Sequence, residues 1–358
     1  MAWLDRDRTP VRFTVTTSVA SGLILAAILN AFRGGITDSI GLLWLVLTFA
    51  GSATATWLAT STYYRVRKQS RAFLVTSAFS QKYHIAAFVQ RLHSALDRDG
   101  IDLVLKVPDR DYDASAQSHH LNRLLSRRRD YLGGVVVVTE ANRSREDLLT
   151  FSRRSRLPVV FTDCEPFEKE VEYPPNTAFV GYDTGEIGEL AGRWLVERLR
   201  GREHPRVLIV ASREHAARQE RCEQALRAGL ENVAVTIDDR CEFTRSRSYA
   251  AVRTHVRQLD AGQCLAAIFC TNDEMALGAV DALRSASLPA TKETLVVGVD
   301  GVLEATTLID TADSPLRATV VQDTHRLAVS IVDFLQKMRR GSDVPKRVIL
   351  PAEIHEAT

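Results

Sequence analysis

From Ala72 to the end of the chain, short apolar runs alternate with stretches whose apolar residues recur at helical spacing. Ala72–Ser77, Ile101–Val107, Gly134–Val138 (GVVVV) and Pro158–Thr162 (PVVFT) are the apolar runs of a first series. Between them, Ile85–Arg98, His120–Arg128 and Arg145–Arg154 carry the 3.6-residue period of amphipathic helices. The series stops around Tyr173–Asn176 (YPPN), and a second begins. Its predicted strands are Ala178–Tyr182, Arg206–Ala211, Ala234–Ile237, Leu265–Cys270 and Thr294–Val299, and another short apolar run, Ala318–Val321, follows. Its predicted helices are Glu186–Arg200, Ala217–Gly229, a segment near Tyr249–Leu259, and TNDEMALGAVDALR (Thr271–Arg284). Nearly continuous apolar strands between amphipathic helices predict parallel sheets covered on both faces. The fold class is therefore α/β, with two doubly wound lobes.

The first seventy residues follow a different pattern. Phe13–Phe32 has no charged residue over about the length of a bilayer-spanning helix, and Ser39–Tyr64 is a second such stretch after the turn RGGITD. The pattern predicts a membrane anchor over 1–70, with transmembrane helices at about 13–32 and 39–64. Trp44, Trp57, Tyr63 and Tyr64 suit interfacial positions. Two buried soluble helices or a signal region are the competing readings, and no small-x-small cleavage site closes the first stretch. Arg6, Arg8 and Arg12 precede the hairpin and Arg65, Arg67, Lys68 and Arg71 follow it, whereas Arg33 alone sits in its turn. Basic residues stay on the cytoplasmic side. The remainder, 72–358, is thus expected on the cytoplasmic face of the cell membrane.

Composition changes little in this picture. Of 358 residues, 46 are Lys or Arg and 44 Asp or Glu, a net charge of +2 that gives no reason to expect nucleic-acid binding. The five cysteines are odd in number and lack framework spacing, as reduced thiols do. His119 and His120 have no matching ligand set, so no metal and no cofactor is expected. The RRR run at Arg127–Arg129 falls at a helix end, where cations favour the dipole.

Ligands of doubly wound sheets sit beyond the carboxyl ends of the strands. At those ends stand Gln81, Tyr83 and His84, then Asp163, Arg218, Asn272, Asp300 and Gln322. Carboxylates, amides and a guanidinium offer planar, bidentate hydrogen bonds that match adjacent hydroxyls, and aromatic rings pack on C–H surfaces. Each has a plainer reading. Asp163 and Asp300 can cap turns, Asn272 can be a helix N-cap, and Asp273 and Glu274 read as structural, facing the helix end and not the cleft. Met275, Leu277 and Val280 read as core. Asp163 and Asp300 could form a glycosidase acid/base pair in principle, but no nucleophile–base order or phosphate loop accompanies them, and catalysis is not expected.

From about Ala72 onward the chain resembles the type I periplasmic binding proteins, particularly ribose-binding-like sugar receptors and the ligand-binding half of lac-repressor-type regulators. The resemblance rests on TNDEMALGAVDALR followed by VVGVDG (Val296–Gly301), with AARQER, PVVFTD, GYDTGEIGELAG and RATVVQD in family order. It implies that Gln81, Tyr83, His84, Asp163, Arg218, Asn272, Asp300 and Gln322 contact a sugar, with Phe243 as a further aromatic contact. It also implies three crossovers, near Asn176, Gln322 and Pro345. Lobe 1 would then hold about 72–176 and 323–345, and lobe 2 about 177–322 and 346–358. His84 stands where a stacking aromatic is usual and Cys164 where a ribose pocket carries Arg, so the expected ligand is a small polar monosaccharide-like compound other than ribose. The regulators' DNA-binding segment is replaced by the hairpin.

The expected function is a non-catalytic membrane-anchored sensor that passes lobe closure to the hairpin, a second copy or a signalling partner. An extracytoplasmic receptor serving an ABC-type sugar transporter and a ligand-gated two-helix membrane effector are the alternatives.

Overall fold

The computed structural model describes residues 50–61, 71–76, 83–108, 113–139, 141–259, 263–286, 293–311 and 313–357. The chain divides into two compact units, Met1–Gln69 and Ser70–Thr358. In the first, residues 50–61 are helical. Thr54, Thr56 and Thr60 return their hydroxyls to the carbonyls of Ala50, Ser52 and Thr56 at 2.6, 2.8 and 2.6 Å, which is how hydroxylated residues sit inside a helix. Among the described residues no helix is long and apolar enough to cross a membrane. The predicted span at 13–32 lies outside the described residues, and the one at 39–64 is described only over 50–61.

The second unit holds two six-stranded sheets. In lobe 1, β1 (Arg71–Val75), β2 (Asp102–Lys106), β3 (Gly133–Val138), β4 (Val159–Asp163), β5 (Thr177–Gly181) and β11 (Arg347–Ile349) pair in the order β11-β5-β4-β3-β1-β2. All of these pairings are parallel. In lobe 2, β6 (Arg206–Val210), β7 (Ala234–Asp238), β8 (Ala267–Cys270), β9 (Leu295–Asp300), β10 (Leu316–Val321) and β12 (Glu353–Glu356) pair as β12-β10-β9-β8-β6-β7. Only β12 runs antiparallel.

Helices cover both sheets. Lobe 1 carries α1 (Tyr83–Arg98), α2 (Ala114–Ser126), α3 (Ala141–Ser155) and α9 (Thr324–Arg339), and lobe 2 carries α4 (Thr184–Leu199), α5 (Ala216–Gly229), α6 (Arg245–Arg257), α7 (Asp273–Ala286) and α8 (Leu303–Asp310). The helix α2 begins earlier than its apolar period suggests because the Asp113 carboxylate accepts from the Ala116 N–H at 2.9 Å. The Arg127–Arg129 run lies just past its end, where the Arg128 guanidinium donates to the Arg154 carbonyl at the end of α3 at 3.1 Å. The structure adds α8, α9, β11 and β12 to the elements legible from periodicity.

Two expected crossovers shift. The first lies past Gly181 and not near Asn176, because β5 hydrogen-bonds to β4 within the lobe 1 sheet. The third lies between Ile349 and Glu353 and not near Pro345, because β11 pairs with β5 before β12 joins β10. The second follows Val321, next to the expected position. The crossovers are tied to one another: the Tyr182 hydroxyl donates to the Asp323 carbonyl at 3.0 Å, and the Leu350 N–H donates to the Gly181 carbonyl at 2.8 Å.

The helices α4 and α5 approach backbone to backbone. A Cβ at Gly188 would stand 2.1 Å from the Arg218 carbonyl oxygen, so only glycine allows the contact that sets the height of Arg218. Gly188→Ala is expected to destabilise the protein by about 1–3 kcal/mol, the usual range for overpacking. Urea unfolding measures it, and a midpoint equal to the parent's would show that the two helices part at no cost.

Candidate ligand-binding cleft

The carboxyl ends of both sheets face one cleft. In it lies a cavity of about 40 Å³ whose walls come from both lobes. Tyr83, His84 and Asp163 line it from lobe 1, Arg218, Phe243, Asn272 and Asp300 from lobe 2, and Gln322 from the second crossover. The structure thus brings together eight of the nine residues singled out from sequence; Gln81 lies outside the described residues.

Tyr83 and His84 open α1, two residues before the helix expected from periodicity, and the Tyr83 ring is 62% exposed at the rim. Asp163 ends β4 with φ +73°, Asp300 ends β9 with φ +116°, and Phe243 has φ +59° in the turn before α6. Backbone outside the favoured L-residue regions costs on the order of 1–3 kcal/mol and persists where the surroundings enforce it. Three such residues around one cavity mark it as a built site.

Arg218 is buried in the first turn of α5. Its Nη1 donates to the Thr271 carbonyl at 2.9 Å and lies 3.3 Å from the His215 Nδ1, while its Nε has no partner. The His215 ring meets the Phe243 ring edge-to-face at 4.5 Å. Asn272 fills both roles that the sequence left open. Its Oδ1 accepts from the Met275 N–H at 2.9 Å and so caps α7, its Nδ2 donates to the Phe243 carbonyl at 3.3 Å, and the side chain also lines the cavity. Gln322 donates through Nε2 to Asp300 Oδ1 at 2.9 Å, which leaves Asp300 oriented by the second crossover.

Asp273 is fully buried and structural. Its Oδ1 accepts from the Thr319 hydroxyl at 2.7 Å and its Oδ2 from the Val302 N–H at 2.8 Å. A Cβ at Gly298 would lie 2.1 Å from Asp273 Oδ1, so the glycine of VVGVDG makes room for this carboxylate.

Glu274 corrects the sequence reading. It does not face away from the cleft but lines the cavity, 7% exposed, and its Oε1 has no hydrogen-bond partner. Its neighbour in sequence points into the sheet, and the rotation of α7 on the sheet turns Glu274 to the ligand side. His215, Ile85 and Val302 are further lining residues that sequence reasoning missed. His215 sits in a short 3₁₀ turn before α5, where no periodic pattern identifies a face.

Burial and neighbouring charge raise the proton affinity of two cleft carboxylates, Glu274 and Asp300. Burial pushes Glu274 up to about 7, with the charge of Glu304 adding, Arg245 opposing and Asp300 adding. Burial also raises Asp300, against the pull of His84 and Arg218, and Asp163 raises it further. Asp273 is raised well above the ordinary range by burial first and then by the charge of Asp300. The set offers acceptors, one guanidinium and imidazole edges, a combination suited to hydroxyl groups that both donate and accept. Among the described residues no group of three His, Cys, Asp or Glu side chains is placed to hold a metal ion.

Two α/β lobes joined by three crossovers, with polar residues at the strand ends of both, define a two-lobed architecture around one cleft. The chain belongs to the periplasmic binding protein family: the family model described as "Periplasmic binding protein domain" matches residues 73–343. A putative rhizopine-binding protein of Rhizobium meliloti is 25% identical over 264 residues, covering 72% of this chain and 80% of that protein. The galactofuranose-binding protein of Escherichia coli K12 is 24% identical over 208 residues, covering 57% of this chain and 64% of that one. Among solved structures, a periplasmic solute-binding protein of an ABC transporter from Actinobacillus succinogenes with bound D-allose superposes with a TM-score of 0.69 at 16% identity. That match covers 80% of this chain and 98% of the solved one, and at this identity it shares the fold.

Glu274→Gln tests the electrostatics of the cleft. Between its ordinary value of 4.5 and about 7, the unfolded chain has released this proton while the folded chain holds it. Folding is therefore expected to weaken as pH rises through that window, by at most about 3.4 kcal/mol at 1.36 kcal/mol per unit. Asp273 and Asp300 add slopes of the same sign, so the readout is the difference between the two proteins. The Gln variant should lose stability less steeply between pH 4.5 and 7 in urea titrations. Parallel curves would place Glu274 in water.

Proposed function

We propose that this chain is a non-catalytic binding protein for a sugar or closely related polyol, which it encloses between its lobes. The observation that carries the reading is the convergence of Asp163 from one lobe, Arg218 and Asp300 from the other, and Gln322 from a crossover, on one cavity. Planar carboxylate, amide and guanidinium groups match vicinal hydroxyls, and Tyr83 and Phe243 supply aromatic surface. The relatives support a sugar ligand by name: D-allose and arabinofuranose accompany two solved structures, and galactofuranose names both a curated relative and a further solved structure.

The inner cavity, at about 40 Å³, has room for about three water molecules at 10–15 Å³ each. A sugar ring enters only if the lobes part, so binding is coupled to hinge motion. The free energy of that coupling is the ligand's preference for one hinge angle over another.

The sensing role rests on the first seventy residues. The two uncharged stretches and their basic flanks support a membrane tether with the binding unit on the cytoplasmic side, where closure is passed to the hairpin, a second copy or a partner. The transport-receptor reading draws support from relatives named as ABC transporter solute-binding proteins. A reporter fused after Thr358 separates the two: activity only on the cytoplasmic side supports the sensor, and activity only outside supports the receptor.

Thermal unfolding of the full chain against pentoses, hexoses and polyols tests the ligand class. One sugar class is expected to raise the melting temperature, since a ligand at 100 times its Kd stabilises the folded state by about 2.7 kcal/mol. Asp300→Ala and Arg218→Ala should abolish that shift. A folded protein that responds to no carbohydrate would sink the sugar reading.

A further inference from the structure

The inner cavity opens beside a second, larger chamber of about 520 Å³. Tyr83, His84, Asp300, Val302 and Gln322 line both, so they form the neck between them. Beyond the neck the chamber is walled by Arg91 of α1, Thr306 of α8, Thr324 and Arg326 at the start of α9, and Pro351 and Glu353 at the third crossover. The allose, arabinofuranose and galactofuranose named for the proteins above are single sugars, whereas this space is of the size that holds a drug-sized molecule, about 300–1,000 Å³.

The charge pattern decides what fits. Arg91 and Arg326 face the chamber together with Asp300, Asp323 and Glu353. An anionic group would meet three carboxylates and a cationic group two guanidinium ions. A neutral group rich in hydroxyls meets neither penalty, because each hydroxyl donates to a carboxylate and accepts from an arginine. Asp323 is partly committed, its Oδ1 capping α9 through the His325 and Arg326 N–H groups at 2.8 and 3.0 Å, which leaves Glu353 and the two arginines as the further charged partners in the chamber wall. Two apolar surfaces stand at the chamber edges, the Tyr83 ring and the Leu303 side chain, 62% and 82% exposed. They offer C–H packing surface for a ring.

We infer that the chamber is a second glycosyl subsite, and that the natural ligand is a disaccharide or larger glycoside whose first unit enters the inner cavity and whose second occupies the chamber. The inference rests on the sugar reading above and specifies its substrate class. It also gives the hinge a lever. The second unit touches α1 in one lobe, α8 in the other and the segments following the second and third crossovers, so its binding bears directly on the angle between the lobes.

The test is isothermal titration of the full chain with D-ribose, L-arabinose, D-galactose, D-allose and D-glucose, and with lactose, melibiose, trehalose, maltose and sucrose. At least one disaccharide is expected to bind about tenfold or more tighter than any free monosaccharide, a factor that corresponds to about 1.4 kcal/mol. Thr306→Trp, which fills the chamber, and Arg91→Ala, which removes a donor but leaves room, should both erase that advantage while monosaccharide binding stays as in the parent. Neither residue lines the inner cavity. Monosaccharide binding as tight as that of every disaccharide, unchanged by both variants, overturns the second subsite and leaves the sugar reading intact. Binding of no carbohydrate of either size by the folded chain overturns both.

Discussion

The ligand-facing end of lobe 2 hangs on one buried carboxylate. Asp273 receives the Thr319 hydroxyl from β10 and the Val302 N–H from the loop after β9, and it begins α7. One side chain therefore ties a helix start to two strands, and the loop it holds directly follows Asp300. The contact exists because Gly298 has no side chain to fill the space. Burial makes such hydrogen bonds costly to leave unmade, since each orphaned group is penalised by about 1–3 kcal/mol. The same burial raises Asp273's proton affinity, with the charge of Asp300 adding to it. Structural hub and cleft residue are thus electrically linked.

Around that hub the helix α7 is buried along most of its length, from Asp273 to Val280 without a break and again at Ala282 and Leu283. An all-round buried helix between strands and neighbouring helices leaves its N-terminus little freedom. Asn272 and Glu274 are consequently held at fixed positions in the cleft. Arg218 is fixed by a different device, the glycine contact between α4 and α5. Among the described residues lobe 1 contributes fewer groups to the cavity, with Tyr83 exposed and Asp163 half-buried.

The crossovers carry their own fastenings. Tyr182 bonds across to Asp323, and Arg347 reaches Glu165 at 2.9 Å and Asp183 at 3.8 Å. These contacts join the first crossover to the second and to the strand β11 that precedes the third. The large chamber is walled in part by the same segments, at Asp323 and Pro351.

Periodicity alone determined that this is a two-lobed α/β protein, because strands buried on both faces must be apolar throughout and helices must show one apolar stripe. The strand-end rule then located Asp163, Arg218, Asn272, Asp300 and Gln322, whose side chains the structure gathers around one cavity. What the sequence left undecided is of a different kind. Whether Asn272 caps or lines the cleft was open because both roles want an amide at the same place, and the structure uses it for both. Glu274 was misread because the direction of a first-turn side chain depends on how its helix is rotated on the sheet. The crossovers near Gly181 and Leu350 were misplaced because strand membership is set by hydrogen bonds to a distant strand, which no local pattern records. The large chamber was invisible for the same reason: its walls come from α1, α8, α9 and the third crossover, segments that meet only when both sheets are packed.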